Sequence, residues 1–462
     1  MSALDMIALL ATLLAATDPG PRVDQSNAPT SAGAPIGGLT AQEQALFMAG
    51  KDAFEETNSV AGAPDEEGNA TDAGLGPRFN LDGCAGCHSQ PAVGGTSPRA
   101  NPQVAVATKQ GAQNAIPWFV VANGPVREAR YKKRPDGTDD GGVTNLFVIA
   151  GRSDAVGCDI PQPDFGPAGD PLTGQRGDPN LVFRIPTPLF GGGLIEAVAD
   201  SAILANKASQ PALKGAQGVR GREGRSNRAP GGGGAVSQGS ANRNGNDGTI
   251  TRFGWKAQNK SLLLFAGEAY NVEQGVTNEL FPNERDETPS CMMNLMVESG
   301  SAFDPDPEVA LPDIVKFAAF MRFLAPPDPA PDTPSTVSGR AQFDAAGCTL
   351  CHTPSFTTAR TASAALSEKP VNLFSDLLLH KMGAGLADGI VQGSADGDEF
   401  RTAPLWGLGQ RLFFLHDGRT SDLVQAIQAH RSKGSEGSAS VDAFDALPEE
   451  KQQDLLNFLR SL

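Results

Sequence analysis

Gly83-Cys84-Ala85-Gly86-Cys87-His88 and Gly347-Cys348-Thr349-Leu350-Cys351-His352 are the stretches that decide how this chain is read. In each, two thiols three residues apart fall on one side of a helical turn and the next residue is an imidazole. Thiols at that spacing add to the vinyl groups of a haem, and the adjoining His supplies the proximal iron ligand. A Cys-x-x-Cys pair also serves as a thiol redox couple or as half of a zinc site. A zinc site needs four ligands, however, and here each pair is followed by His at the same adjacent position, twice over. The expectation is two covalently bound c-type haems, on Cys84/Cys87/His88 and Cys348/Cys351/His352, with His88 and His352 as iron ligands.

Outward from the motifs, the segment before each is also repeated. Gly50-Lys51-Asp52-Ala53-Phe54 precedes the first and Gly339-Arg340-Ala341-Gln342-Phe343 the second. Two copies of one cytochrome c-like unit, the first heavily expanded, account for this. The fold expected is mainly α, two cytochrome c-like haem domains, the first carrying long loops and short β elements. Thr40-Ala41-Gln42-Glu43 reads as a capping box opening a helix to about Glu56. Apolar runs at Trp118–Ala122, Leu146–Ala150 and Leu181–Ile185 read as strands or buried loops. Residues 208–248, rich in Gly, Ser, Asn and Arg, read as a long surface loop. Helical character returns at Lys260–Glu273, Pro312–Leu324 and Pro448–Leu462. The Pro-rich run from Ala325 to Pro331 is the clearest boundary. The domains are therefore a signal-like segment over 1–16, a disordered leader over 17–38 and an N-terminal, catalytic haem domain over 39–324 with a large insertion at 89–254. A linker over 325–337 and a C-terminal, electron-transfer haem domain over 338–462 complete the chain.

Composition narrows the class. The net charge of −16 repels phosphate backbones, which argues against a nucleic-acid partner, and either attracts a basic partner such as a small redox protein or simply keeps the chain soluble. The apolar run Met6–Ala16 is too short to span a bilayer but has the length of a signal-peptide core, with small residues at its end. Asp5 stands where a positive residue is usual, and no Lys or Arg precedes Arg22. Export, to the periplasm or an equivalent compartment, is the expectation. Cys158 and Cys291 lie outside both motifs, as a disulfide in an oxidising compartment or as two buried thiols.

Haem iron has a sixth position, and the other imidazoles, His380, His416 and His430, all lie in the C-terminal unit. The first haem thus lacks a second His of its own, and an open iron suits peroxide or oxygen chemistry, whereas a doubly ligated one suits electron transfer. Further segments carry a family resemblance: Pro188-Leu189-Phe190-Gly191 through Glu196-Ala197, Arg252-Phe253-Gly254-Trp255-Lys256-Ala257, Asp376 through Gly383, and Arg401 through Gly409 followed by His416-Asp417-Gly418-Arg419. In that order they resemble the bacterial di-haem cytochrome c peroxidase superfamily, more closely its di-haem oxidoreductase branch. The resemblance implies that His430, on the helix after His-Asp-Gly, is the distal ligand of the C-terminal haem. The peroxidases usually carry Met there, and a His/His iron has the lower potential. It also implies that Trp255 relays electrons between the haems and that Glu273 is the acid–base group of the N-terminal pocket, though two residues earlier than the family pattern has it. Glu196 is a second candidate for that pocket.

The activity this resemblance implies is that of a peroxidase-like oxidoreductase: peroxide, or another small oxidant, is reduced at the N-terminal haem by electrons supplied through the C-terminal one. Two alternatives remain on the same scaffold, a dioxygen-inserting or protein-oxidising enzyme, and outside it a non-catalytic electron carrier. Family members often hold a calcium ion between the domains, and no residue pattern here places one.

Overall fold

In the computed structural model residues 15–22, 32–62, 64, 68, 71–166, 178–224, 249–293, 297–302 and 310–462 are described. The first helix, Ala41–Glu55, begins where the capping box predicts: the Glu43 N–H donates to Thr40 Oγ1 at 3.2 Å, and the Thr40 N–H donates back to the Glu43 carboxylate at 2.8 Å. Its buried face, Phe47, Gly50, Ala53 and Phe54, lies against the helix Asp313–Phe323. Gly50 marks the crossing point, where a Cβ would run into the Lys316 carbonyl and the Phe320 side chain. Phe54 stacks between that helix and the first haem motif, 6.0 Å from Phe317, 5.0 Å from Phe320 and 6.0 Å from the His88 ring.

The second half repeats this arrangement. Helix Pro334–Ala345, capped by Thr333, crosses the C-terminal helix Glu449–Ser461 at Gly339, whose added Cβ would meet the Asp454 carbonyl and Phe458. Phe343 is 5.6 Å from Phe458 and 6.1 Å from the His352 ring. The Gly-basic-x-x-Phe repeat thus has a physical reason: Gly lets two helix backbones touch, and Phe one turn later wedges the crossing against the imidazole. Gly339→Ala is expected to force the helices apart at a cost of about 1–3 kcal/mol, seen as a lower thermal midpoint; an unshifted midpoint would show that the contact is loose.

The chain is mainly α with short strands, as expected. Inside the insertion a three-stranded antiparallel sheet has Glu128–Tyr131 at its centre, flanked by Val143–Thr144 and Leu181–Arg184, with Ala129 opposite Phe183. Of the three apolar runs, only Phe147–Val148 and Leu181–Arg184 contain strands; Trp118–Ala122 is a buried turn. Phe119, Phe147 and Phe183 of the insertion form a second core with Phe79 from before it, closed by the disulfide from Cys158 to Cys291 beyond it.

Several boundaries need correction. The main core takes Phe47, Phe54 and Phe320 from before the Pro-rich run and Phe356, Val371, Leu377 and Trp406 from beyond it, so it is shared across that run, whereas a third core of Phe343, Phe374, Phe414, Phe444 and Phe458 lies wholly beyond it. The linker expected over 325–337 ends earlier, because Pro334 is the first residue of a helix and its fixed φ suits that position. It is also anchored, the Ala330 N–H donating to the Ser461 carbonyl at 2.7 Å. The leader expected to be disordered over 17–38 is held at both ends: Asp18 pairs with the buried Arg460 at 2.6 Å, and the Ile36 N–H donates to the Phe323 carbonyl at 2.7 Å. A buried ion pair outweighs the low apolar content on which that reading rested. Residues 208–224 are not loop throughout, since Pro211–Gln217 is helical. The signal-like segment up to residue 14, leader residues 23–31 and the Gly-rich run 225–248 lie outside the described residues. Among those described, no helix is long and apolar enough to cross a membrane.

Candidate functional site

Cys84–Cys87 form one helical turn, and His88 follows with its N–H bonded to the Cys84 carbonyl at 3.1 Å. His88 Nδ1 lies 3.0 Å from the Gly95 carbonyl. Burial outweighs the backbone carbonyls and lowers the imidazole to about 4, so the ring is neutral. A carbonyl only accepts, hence Nδ1 carries the proton and the Nε2 lone pair is the one free to bind a metal. The motif residues Cys348 and His352 repeat this: the His352 N–H donates to the Cys348 carbonyl at 2.9 Å and His352 Nδ1 is 2.9 Å from the Phe374 carbonyl. Burial lowers His352 to about 4 as well. It also pushes the Cys84 and Cys87 thiols far up, and Cys348 up to about 12. Redox-active thiols need the opposite shift. Among the described residues no group of three or more His, Cys, Asp and Glu could hold a metal ion.

Each motif opens into its own cavity. The N-terminal one is lined by Cys87 and His88 on one side and by Glu268, Val272, Glu273 and Gln274 of the helix Leu262–Gln274 on the other. Ser261 caps that helix, its Oγ accepting from the Leu264 N–H at 3.2 Å. The insertion supplies the remaining wall, including Gln103, Glu128, Arg130 and Arg184. Burial, reinforced by the neighbouring Glu128 charge, raises Glu273 to about 8. Burial likewise raises Glu268 to about 7, against the hydrogen bond it accepts from Asn259 Nδ2. Glu196 is elsewhere, correcting its candidacy: its carboxylate accepts from the Leu262 N–H at 2.9 Å and from Arg322 Nε at 2.8 Å, capping the helix that carries Glu273.

The C-terminal cavity is larger and mostly apolar. Cys348, Cys351, His352 and His430 all line it, so the structure brings the predicted proximal and distal imidazoles to one space. His430 Nδ1 sits 2.8 Å from the Ala426 carbonyl, again leaving Nε2 free. His380 is engaged otherwise, with Asp376 and Glu436 carboxylates each 2.9 Å from its ring nitrogens. His416 stacks on Phe400 with ring centroids 4.3 Å apart. Trp255 lines both cavities, its Nε1 fixed to the Ile185 carbonyl at 2.9 Å.

Sequence reasoning missed Glu268, Arg401 and Arg411. The two arginines line the C-terminal cavity without a carboxylate partner among the described residues, and burial lowers both to about 10. Their signal was the mostly apolar company of Arg401 and Arg411 within Glu399–His416. In the N-terminal cavity the buried Asn80 Oδ1, Gln258 Oε1 and Gln274 Oε1 have no partner among the described residues. Uncompensated guanidinium groups in the C-terminal cavity are what the carboxylate arms of a large, flat, partly anionic cofactor would meet. The residues therefore fit a porphyrin with carboxylate side arms in the C-terminal cavity, while the N-terminal one offers the neutral His88 imidazole beside Cys87.

Two repeated helix crossings, each presenting an imidazole to a cavity, with Trp255 on the wall of both, define a protein built for two prosthetic groups. A family model described as "Di-haem oxidoreductase, putative peroxidase" matches residues 175–462, and the chain belongs to that family, whose cofactors are haems. The matched region contains Trp255, Glu273, the second Cys-x-x-Cys-His and His430; the first motif precedes it. Similar solved structures include the hydrazine synthase of Kuenenia stuttgartiensis, 19% identical over 34% of this chain and 56% of that one, TM-score 0.23. A MauG-like protein associated with microbial copper homeostasis is 19% identical over 32% of this chain and 52% of that one, TM-score 0.24. A diheme peroxidase from Burkholderia thailandensis E264 is 14% identical over 58% and 77%, TM-score 0.29. This chain thus spans little more than half the length of the first two. No curated protein matches it.

Proposed function

We propose that this protein is an exported di-haem c-type oxidoreductase of the peroxidase kind. The observation that carries the reading is an asymmetry. His352 and His430 line one cavity together, whereas His88 is the only imidazole on the wall of the other, which holds Glu268 and Glu273 instead. Haem iron in the N-terminal cavity supplies the centre at which peroxide is reduced. Cys84 and Cys87 anchor that haem and His88 is its protein ligand. Cys348, Cys351, His352 and His430 hold the second, with Arg401 and Arg411 meeting its carboxylates.

Glu273 takes the proton from the near peroxide oxygen and returns it to the departing one. A carboxyl raised to about 8 is close enough to neutrality to serve in both directions. Trp255, on the wall common to both cavities, is the route for electrons arriving at the C-terminal haem. The acidic surface selects a basic redox protein as the donor. The Cys158–Cys291 disulfide supports an oxidising compartment.

The test is the ferric spectrum of the purified protein, with peroxide consumption measured against a reduced cytochrome. The expected result is one low-spin haem, and one high-spin haem that responds to cyanide and peroxide. His430→Ala should convert the low-spin signal and leave the other in place. Two low-spin haems inert to both additives would leave an electron carrier, and oxygen uptake without peroxide consumption would point to an oxygenase.

A further inference from the structure

Between the two cavities lies a lysine with no exposed side-chain surface. Lys256 Nζ is 3.0 Å from Asp388 Oδ1 and donates to the Asp396 carbonyl at 2.9 Å. The other Asp388 oxygen accepts from Arg184 at 2.7 Å, and all three side chains are 3% exposed or less. Arg184 lines the N-terminal cavity. On the opposite side Lys256 Nζ stands 4.0 Å above the Phe400 ring, which lines the C-terminal cavity and stacks on His416.

The charges around this cluster do not cancel. Asp388 answers one of the two cations, Arg184 or Lys256. Two other carboxylates that act on these cations are committed: Glu399 pairs with Arg222, and Glu128 with Arg130. Fully burying an ammonium is costly unless it is paired. Burial accordingly lowers Lys256 to about 8, while Arg184 and Lys256, against burial, hold Asp388 well below the usual carboxylate range. Packing alone would be served as well by Leu or Met. What a buried cation adds is a field, strong because little water screens it.

Resting on the functional reading above, we infer that Lys256, with Arg184 and Asp388, is a positioning cluster whose net positive charge in the wall between the cavities favours the reduced state of the C-terminal haem. A bis-His iron has a low potential, and an adjacent cation stabilises the added electron. The cluster thereby offsets part of the change from the Met ligand usual in the family to His430.

Redox titration of the low-spin haem in the intact, haem-loaded protein tests this, run at pH 6 so that the ammonium stays charged. Lys256→Met should make reduction at least tenfold less favourable, 59 mV for one electron, and Lys256→Arg should restore it. Asp388→Asn removes the compensating negative charge and should shift the midpoint the other way. Opposite shifts support the inference. Equal-signed or absent shifts, with both haem spectra intact, overturn it, because loosened packing has no reason to reverse sign. Should Lys256→Met not accumulate as folded protein, the sign of the Asp388→Asn shift decides alone. Wild-type protein without haem would overturn the functional reading itself, and this inference with it.

Discussion

Glu273→Gln is expected to lower peroxide turnover by about 10²–10⁴-fold, the range for losing a positioned general acid–base group. Haem content and the ferric spectrum should stay as in the wild type, since the amide keeps the shape of the carboxyl. The pH profile makes the test specific. With Glu273 raised to about 8, the carboxyl is mostly protonated at neutral pH and ionises above it. As the acceptor of the peroxide proton it acts when ionised, so wild-type kcat/KM should climb between pH 6 and 9. Without the carboxyl that rise should disappear. Glu196→Gln is the control: its carboxylate caps the helix Leu262–Gln274 and pairs with Arg322, so it should affect stability more than turnover. A flat wild-type profile, or an unchanged rate in Glu273→Gln, would remove Glu273 from the mechanism. Glu268, raised to about 7 in the same cavity, would then be the group to replace.

The second large effect is on stability. The Cys158–Cys291 bridge spans 133 residues, and a cross-link closing so long a loop restricts the unfolded chain strongly. Replacing both cysteines with Ala is expected to cost about 2–5 kcal/mol, read as a fall in the thermal midpoint. Both sulfurs belong to the core that holds Phe119, Phe147 and Phe183 of the insertion, and the insertion forms one wall of the N-terminal cavity. The loss should therefore weaken that cavity before the C-terminal one, so the high-spin haem signal should decay first on heating. A reductant should reproduce the effect in the wild type and do nothing further to the double variant. Equal midpoints with and without the bridge would show that the insertion core holds unaided.

The two Cys-x-x-Cys-His motifs, the Gly-basic-x-x-Phe repeat before each and the Thr40 capping box were all legible in the amino-acid order. Their reasons are local: bond spacing, helical periodicity and hydrogen bonds three residues apart act within a turn or two of chain. The helices at Leu262–Gln274, Asp313–Phe323 and Glu449–Ser461 were read within a residue or two of their ends for the same cause. The extent of each core was not legible, because Trp406 and Leu377 reach Phe320 only through folding across more than fifty residues. Nor was the difference between Glu196 and Glu273, two carboxylates of similar sequence surroundings. One meets an arginine and a helix N-terminus, the other an enclosed cavity, and that choice is made by the packing of distant segments. Lys256 shows the limit most clearly. In sequence it is one cation beside a tryptophan; its burial against Asp388 and Phe400, more than a hundred residues away, is a property of the tertiary structure alone, since desolvation depends on what surrounds a charge in space.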